Sequence, residues 1–334
     1  MKIVLFLFIF FKTVFLFSEE NALEKHILNN FSIPDKKWAV YLAAYENGFS
    51  LVKDIMDVKK ERRNFELIKK IGNDIVSITG FIEPKPLPDV KNSEDCKNYY
   101  LEKIKKMPLR YANLAESKYR GMFIVGRDVF LNPEDKSKIS KNINVFNYID
   151  DYCIDIHISK TLFRECDSAS LNKIINTIKI ISPYSNNIYD YYNFGNIFFY
   201  YARDYKTAIN YYEKAIEMDK NEKKLGKKAL ISAIDNSGMA YAMMKDYKTA
   251  IFRFNSGLSK FTDYPSFYYN RSCAFAELGE REKALLDLEL ALKNRDKLLK
   301  GERFPDPSTD LSFKSIRDDY RFINLLKKYR IIKD

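Results

Sequence analysis

The segment Asp151-Tyr152-Cys153-Ile154-Asp155-Ile156-His157 alternates polar with apolar side chains. As an extended strand it would carry Asp151, Cys153, Asp155 and His157 on one face, opposite Tyr152, Ile154 and Ile156. Carboxylate, thiolate and imidazole together are a ligand set for a divalent metal. A solvated polar face explains the same pattern with fewer assumptions, so no metal is assigned. His26 and His157 are the two histidines, and neither stands in a motif for Ser-His-Asp catalysis. Gly121 and Gly126 are isolated, with no Gly-rich phosphate loop around them. The pairs Asp150-Asp151 and Asp318-Asp319 are adjacent in sequence, which is no argument for acid–base work. Lys59-Lys60-Glu61-Arg62-Arg63 reads as a solvated helix face rather than a nucleic-acid or lipid site. No catalytic residue and no cofactor is assigned.

The elements that must position these residues are read from composition and pattern. The chain has 334 residues, 56 Lys+Arg against 45 Asp+Glu, and a net charge of +11 spread along its length. That balance, with few Gly and Pro, argues against disorder and only weakly for nucleic acid. Cys96, Cys153, Cys166 and Cys273 show no CxxC spacing, so neither a redox motif nor a zinc ribbon follows. Cys153 and Cys166 are near enough in sequence to pair; Cys273 lies on an apolar helical face and reads as a buried thiol. Met1-Lys2, the apolar run 3–17 broken by Lys12, and Ser18 before Glu19-Glu20-Asn21 have the layout of a secretory signal peptide over 1–18. Export to the periplasm or medium is expected, with an uncleaved amino-terminal anchor as the alternative.

The carboxy-terminal half repeats itself. One unit carries Phe194, Gly195, Phe198, Ala208, Tyr212 and Ala215. The next carries Ile234, Asn236, Gly238, Tyr241, Ala250, Phe254 and Gly257. A third carries Ser272, Phe275, Ala284, Leu288 and Ala291. Ala250 and Ala284 stand 34 residues apart, as do Gly238 and Ser272, and Asp-Tyr-Lys-Thr-Ala-Ile occurs at 204–209 and again at 246–251. Small and large apolar residues at helical spacing describe hairpins that cannot bury their stripes alone and must stack.

This pattern resembles the tetratricopeptide repeats, a helix–turn–helix unit of 34 residues. The resemblance covers 188–293, with units near 188–221, 231–264 and 265–298. The first unit has one residue extra between Gly195 and Tyr205. The family's terminal proline is missing; Pro265 comes three residues late. Phe313, Ile316, Tyr320, Ile323 and Leu326 read as an amphipathic capping helix within 294–334, similar to the tails that close bacterial arrays of this family. The resemblance implies a concave groove lined by the first helices, holding an extended peptide or partner helix. That groove would present Tyr192, Asn193, Asn196, Phe199 and Tyr200, then Asp235, Asn236, Met239 and Met243, then Tyr269, Asn270, Cys273 and Glu277. Asn193, Asn236 and Asn270 fall at one place in each unit, where an amide can donate to and accept from a peptide backbone; a local capping role fits that ladder equally well. One variant of the family grips a terminal carboxylate with asparagines and basic residues. Asn196 and Asn236 match its asparagines, but Tyr192, Ser266 and Asn270 replace its basic residues, so no such grip is expected.

The expected fold is all-α: an α-solenoid of about three repeats with a capping helix, preceded by a mostly helical region over 19–169. Segments 36–60, 62–78 and 97–119 read as helix, and Ser170 with Leu171, Ile174, Ile175, Ile178 and Ile180 as a helix leading into the array over 170–187. The function expected is that of an exported scaffold binding a protein or peptide of the cell envelope, or a second copy of itself. The alternative is an enzyme with a catalytic amino-terminal half and an array that presents substrates.

Overall fold

Between Arg62 and Pro84 the buried side chains recur every second residue, a strand period rather than a helical one. Arg63, Phe65 and Leu67 are inside, then Val76, Ile78, Gly80 and Ile82, while Ile75 and Phe81 face outward. The all-α expectation is therefore wrong for the amino-terminal half. The computed structural model describes residues 20–57, 59–71, 74–107, 111–131, 138–299 and 302–332; the expected signal peptide lies outside them. The chain divides into a unit spanning Glu24–Asp204 and one containing Tyr205–Asp334.

The first unit takes in α1 (Glu20–Asn29), β1 (Asn30–Ser32), β2 (Ala39–Tyr41), β3 (Ser50–Asp57), β4 (Arg62–Ile71), β5 (Asp74–Pro84) and α2 (Ser93–Lys105). It continues through β6 (Tyr111–Tyr119), β7 (Met122–Phe130), β8 (Ile139–Ile149), β9 (Tyr152–Lys160), α3 (Ser168–Thr177), β10 (Lys179–Ile181) and α4 (Ile188–Asn196). Seven strands form an antiparallel sheet in the order β3-β4-β5-β9-β8-β7-β6, and β1-β2-β10 form a small second sheet. The segments read as helix at 36–60 and 62–78 hold strands β2 to β5, 97–119 is the end of α2 followed by β6, and in 170–187 helix α3 ends at Thr177 and β10 follows. The apolar residues there are largely Ile, Val and Phe, whose branching and bulk suit a pleated surface. Asp150 (φ 47°) and Asp151 (φ 66°) make the tight turn between β8 and β9. The adjacent carboxylates are a hairpin turn.

One face of the large sheet packs Phe65, Ile78, Ile154 and Ile156 against Phe31, Trp38, Val40 and Ile174. On the other face α2 sets Leu101 and Ile104 over Val125 and Phe146. Asn92 caps α2, accepting from the backbone N–H of Glu94 and Asp95. Cys96 of α2 is disulfide-bonded to Cys153 of β9 across a separation of 57 residues, which replaces the Cys153–Cys166 pairing considered from sequence; Cys166 is a free, exposed thiol.

Arg63 and Asp54 are each 1% exposed. The guanidinium grips the carboxylate through Nε to Oδ1 at 2.9 Å and Nη2 to Oδ2 at 2.7 Å, and Nη1 donates to Ser32 O at 2.5 Å. The Phe31 ring centroid lies 5.2 Å and that of Phe194 6.0 Å from the same guanidinium. This ion pair ties β3, β4, β1 and α4 together. A second lock joins α1 to α4: Asp190 takes His26 Nε2 at 2.9 Å and the Tyr184 hydroxyl at 2.7 Å.

The second unit is helical: α5 (Tyr205–Glu222), α6 (Gly226–Met243), α7 (Tyr247–Lys260), α8 (Pro265–Glu277), α9 (Arg281–Lys293), a 3-10 turn at Leu311–Ile316 and α10 (Tyr320–Lys328). Pro265 opens α8 at its first turn, where a missing N–H costs nothing. The expected single capping helix is two segments. Phe313, Ile316, Phe322, Leu325 and Leu326 enter the core, whereas Tyr320 is 71% exposed.

Asp54→Ala leaves a buried, unpaired guanidinium and is expected to cost about 3–5 kcal/mol in urea unfolding. Joint replacement of Asp54 by Leu and Arg63 by Met is expected to cost clearly less. Equal losses in the two variants would show that the pair's charge is not what matters.

Candidate functional site

The array is built on close approach. A Cβ added to Gly238 in α6 would meet the Phe254 ring of α7 at 2.5 Å, and one added to Gly257 in α7 would meet the Phe267 ring of α8 at 2.6 Å. Ala208, Tyr212, Ala215, Ala250, Ala284, Leu288 and Ala291 are fully buried, as is Ser272. Tyr241 and Phe275 are half-buried, and Gly195 is buried in α4. The extra residue of the first unit is absorbed by a π turn at Ile197–Ala202, the local form a one-residue insertion takes.

Polar ties cross the helices. Glu213 of α5 accepts from Ser237 Oγ at 2.7 Å and pairs with Arg253 at 2.6 Å. Arg271 of α8 holds Asp287 of α9 in a bidentate grip, Nε to Oδ2 at 2.6 Å and Nη2 to Oδ1 at 2.7 Å.

The groove-assigned residues divide by burial. Tyr192 and Asn193 are buried in α4; Asn196, Phe199 and Tyr200 are half-buried, with the last two rings edge-on at 4.9 Å. Asn236 is 3% exposed and donates to the Tyr212 hydroxyl at 3.1 Å and to Ser232 Oγ at 3.3 Å. Its amide serves the packing of α5 on α6. Asn270 Nδ2 donates to Asp235 Oδ1 at 2.8 Å, bridging α6 and α8. Burial pushes the Asp235 carboxyl up to about 7; the Asn270 amide pulls it down and the charge of Glu302 pushes it up. Met239 is half-buried, Met243 is 56% exposed, and Glu277 is exposed and accepts from the Tyr247 hydroxyl at 3.3 Å. Tyr269 is 2% exposed, and burial pushes the Cys273 thiol well up. Tyr269 and Cys273 both meet Asp310, a residue the repeat pattern does not point to.

The alternating segment is strand β9, with Cys153, Asp155 and His157 on one face. Cys153 is spent on the disulfide. Asp155 Oδ1 accepts from Asn144 Nδ2 at 2.8 Å, Asn144 Oδ1 accepts from Arg127 Nη1 at 2.6 Å, and His157 Nε2 lies 2.9 Å from Asn142 Oδ1. Burial pushes Asp155 up to about 7 against the Asn144 amide and the Arg127 charge, which pull it down. Burial, then Arg127, pushes His157 down to about 4. Among the described residues no three His, Cys, Asp or Glu side chains gather closely enough to hold a metal ion. The neighbours that matter here, Arg127, Asn142 and Asn144, come from other strands, and nothing local in sequence pairs them with β9.

Gly238→Ala is expected to cost about 1–3 kcal/mol in thermal or urea unfolding, because the Phe254 ring must move; adding Phe254→Leu should return part of it. Asp235 titrates near 3.8 in ordinary surroundings and about 7 folded. The folded chain holds a proton there that the unfolded chain loses, so this group's contribution to stability falls as pH rises between those values. Asp235→Asn should gain stability on wild type as pH rises from about 4 to about 7; a constant difference across that window would refute the shift.

The family model for the tetratricopeptide repeat matches residues 191–222 and 265–297. Tetratricopeptide repeat protein 12 of Mus musculus is 41% identical over 66 residues, which are 20% of this chain and 9% of the mouse protein. Its Homo sapiens counterpart is 39% identical over 74 residues, 22% of this chain and 10% of the human protein. The matched stretches thus span about a tenth of those relatives. BtubC (BKLC) from P. vanneervenii superposes with a TM-score of 0.36 and 17% identity, over 43% of this chain and 62% of that one. CyanoP, the cyanobacterial PsbP of Synechocystis sp. PCC 6803, gives a TM-score of 0.25 and 10% identity over 40% and 93%. Both scores are too low to relate the folds. The repeated small-under-large packing and the family model on two of its units agree, and the carboxy-terminal half of the chain carries tetratricopeptide repeats.

Proposed function

We propose that this protein is an exported, non-enzymatic scaffold whose groove holds an extended segment of another cell-envelope protein. The observation that carries the groove reading is the division of labour on α6 and α8. Gly238, Ala240, Ser272 and Ala274 are buried, while Asp235, Met239, Met243 and Glu277 stay partly or fully exposed along the groove-assigned positions. A row of carboxylate and flexible thioether groups suits a peptide main chain with variable side chains. Export is supported by the apolar run behind Lys2 and by the Cys96–Cys153 bridge, a cross-link that persists in oxidising compartments.

A second reading, a catalytic amino-terminal unit, draws on Asp155, whose carboxyl sits near 7 one amide away from Arg127. The scaffold is preferred because the sequence holds no motif for a nucleophile or a phosphate loop.

The test is capture from envelope extract with full-length wild type and with Met243→Asp combined with Glu277→Lys, both side chains being exposed. The expected result is at least one protein held by wild type and depleted about tenfold by the variant, a difference of about 1.4 kcal/mol. Identical capture profiles would remove the groove. Recovery of the chain from cytosol with Cys96 and Cys153 reduced would remove export.

A further inference from the structure

The inward face of the large sheet changes character between two adjacent cross-strand rows. Leu67, Ile78 and Ile158 stand side by side on β4, β5 and β9, and all three are buried. The next row on the same face is Lys69, Val76 and Lys160. Past it, the sheet and α3 leave a cavity of about 150 Å³. Phe49, Val76, Leu171 and Ile174, all members of the apolar core, line one side of it. Lys69, Lys160, Lys173 and Asp167 are the charged residues that line it, with Ser170 of α3 beside them.

The charges around this cavity do not cancel. Lys160 is 2% exposed, and its ammonium donates to Asp74 Oδ2 at 2.8 Å and to Thr161 O at 2.9 Å, with Asp167 Oδ2 at 3.6 Å. Asp167 Oδ2 also accepts from the backbone N–H of Arg164 at 2.9 Å, and the Arg164 side chain lies 3.6 Å from Asp74 and 3.9 Å from Asp167. Lys160 and Arg164 thus answer both acids. Lys69 is half-buried and Lys173 exposed, and among the described residues no carboxylate pairs with either. A cavity of this size has room for a group as large as benzene. An apolar body gains there by leaving water, and a carboxylate attached to it meets two ammonium groups in a site partly shielded from solvent. A cation would be repelled by the lysines, and a second negative charge would fall against Asp167.

We infer that this cavity binds a small organic monocarboxylate. Its apolar body, of about six carbons, packs against Phe49, Val76, Leu171 and Ile174, and Lys69 and Lys173 receive its carboxylate. The site lies wholly within the amino-terminal unit and does not depend on the groove. It gives a ligand of defined chemistry to the unit for which the scaffold reading names no task.

The probe is benzoate, titrated into the full-length, methyl-labelled chain and followed by NMR, with benzyl alcohol as the uncharged control and acetate as the control that lacks the body. Benzoate is expected to shift the methyl signals of Val76, Leu171 and Ile174. Its dissociation constant should be about 0.1–1 mM, the range open to a ligand of so few atoms, and at least tenfold tighter than either control. Lys69→Met with Lys173→Met keeps both stems and removes both charges. It should weaken benzoate at least tenfold and leave benzyl alcohol unchanged. Benzoate no tighter than acetate or benzyl alcohol, no shift at those methyl groups in wild type, or unchanged benzoate binding by the double variant each overturns the inference. Should the variant fail to fold, wild type decides alone: the three methyl shifts together with tighter binding of benzoate than of both controls uphold the inference, and the loss of either overturns it.

Discussion

Both halves of the molecule depend on a ring lying where a side chain is missing. In the sheet, Phe65 of β4 lies over Gly80 of β5, its cross-strand partner, so closely that a Cβ there would fall 2.0 Å from the ring. In the array, Phe254 and Phe267 lie over Gly238 and Gly257 in the same way. A dense interior tolerates neither a void nor an added carbon. Those glycines set how near the two layers approach. In the sheet the ring then stacks on Phe31, with centroids 3.6 Å apart, and draws β1 onto the core. In the array the same device sets the spacing of α6, α7 and α8, and so the distance across which Asn270 reaches Asp235.

The repeats are legible in sequence because their period is long and their small positions are costly to change. Gly238, Ala250, Ser272 and Ala284 identify themselves by recurrence, with no appeal to helix propensity. The sheet is not legible by the same reading. In Arg62–Ile71 the side chain that marks one buried position is Arg63, whose charge is answered by Asp54 on the neighbouring strand. A pattern that scores arginine as surface loses the alternation there. Asn144, Arg127 and Asp155 likewise put polar groups on a face covered by α2 and its surroundings, and their pairing spans three strands. The groove positions are legible as places on a helix. Their availability is not, since Asn236 is committed to Tyr212 and Tyr269 to Asp310 through contacts 24 and 41 residues away.

Two buried arginines show how differently one charge can be treated. Arg63 meets a carboxylate in fork geometry and a backbone carbonyl, which leaves it neutralised and immobile. Arg127 reaches the Asp155 carboxyl only through the Asn144 amide, and burial pushes that carboxyl up while the Arg127 charge pulls it down. The first arrangement fastens strands and α4 into one body. The second links β7, β8 and β9 by amide-mediated contacts on the sheet face that α2 covers with Leu101 and Ile104.

The bridge between Cys96 and Cys153 also changes what cleavage can do. It encloses β6, β7, β8 and most of α2 in a covalent ring. A protease that cuts anywhere inside this ring produces a nicked molecule whose fragments stay joined through sulfur. Such a chain would migrate intact on a gel without thiol and fall apart only when reductant is added. Clipping at the β6–β7 or β8–β9 turn would therefore not by itself sever the covalent link between the sheet and the repeats that follow it.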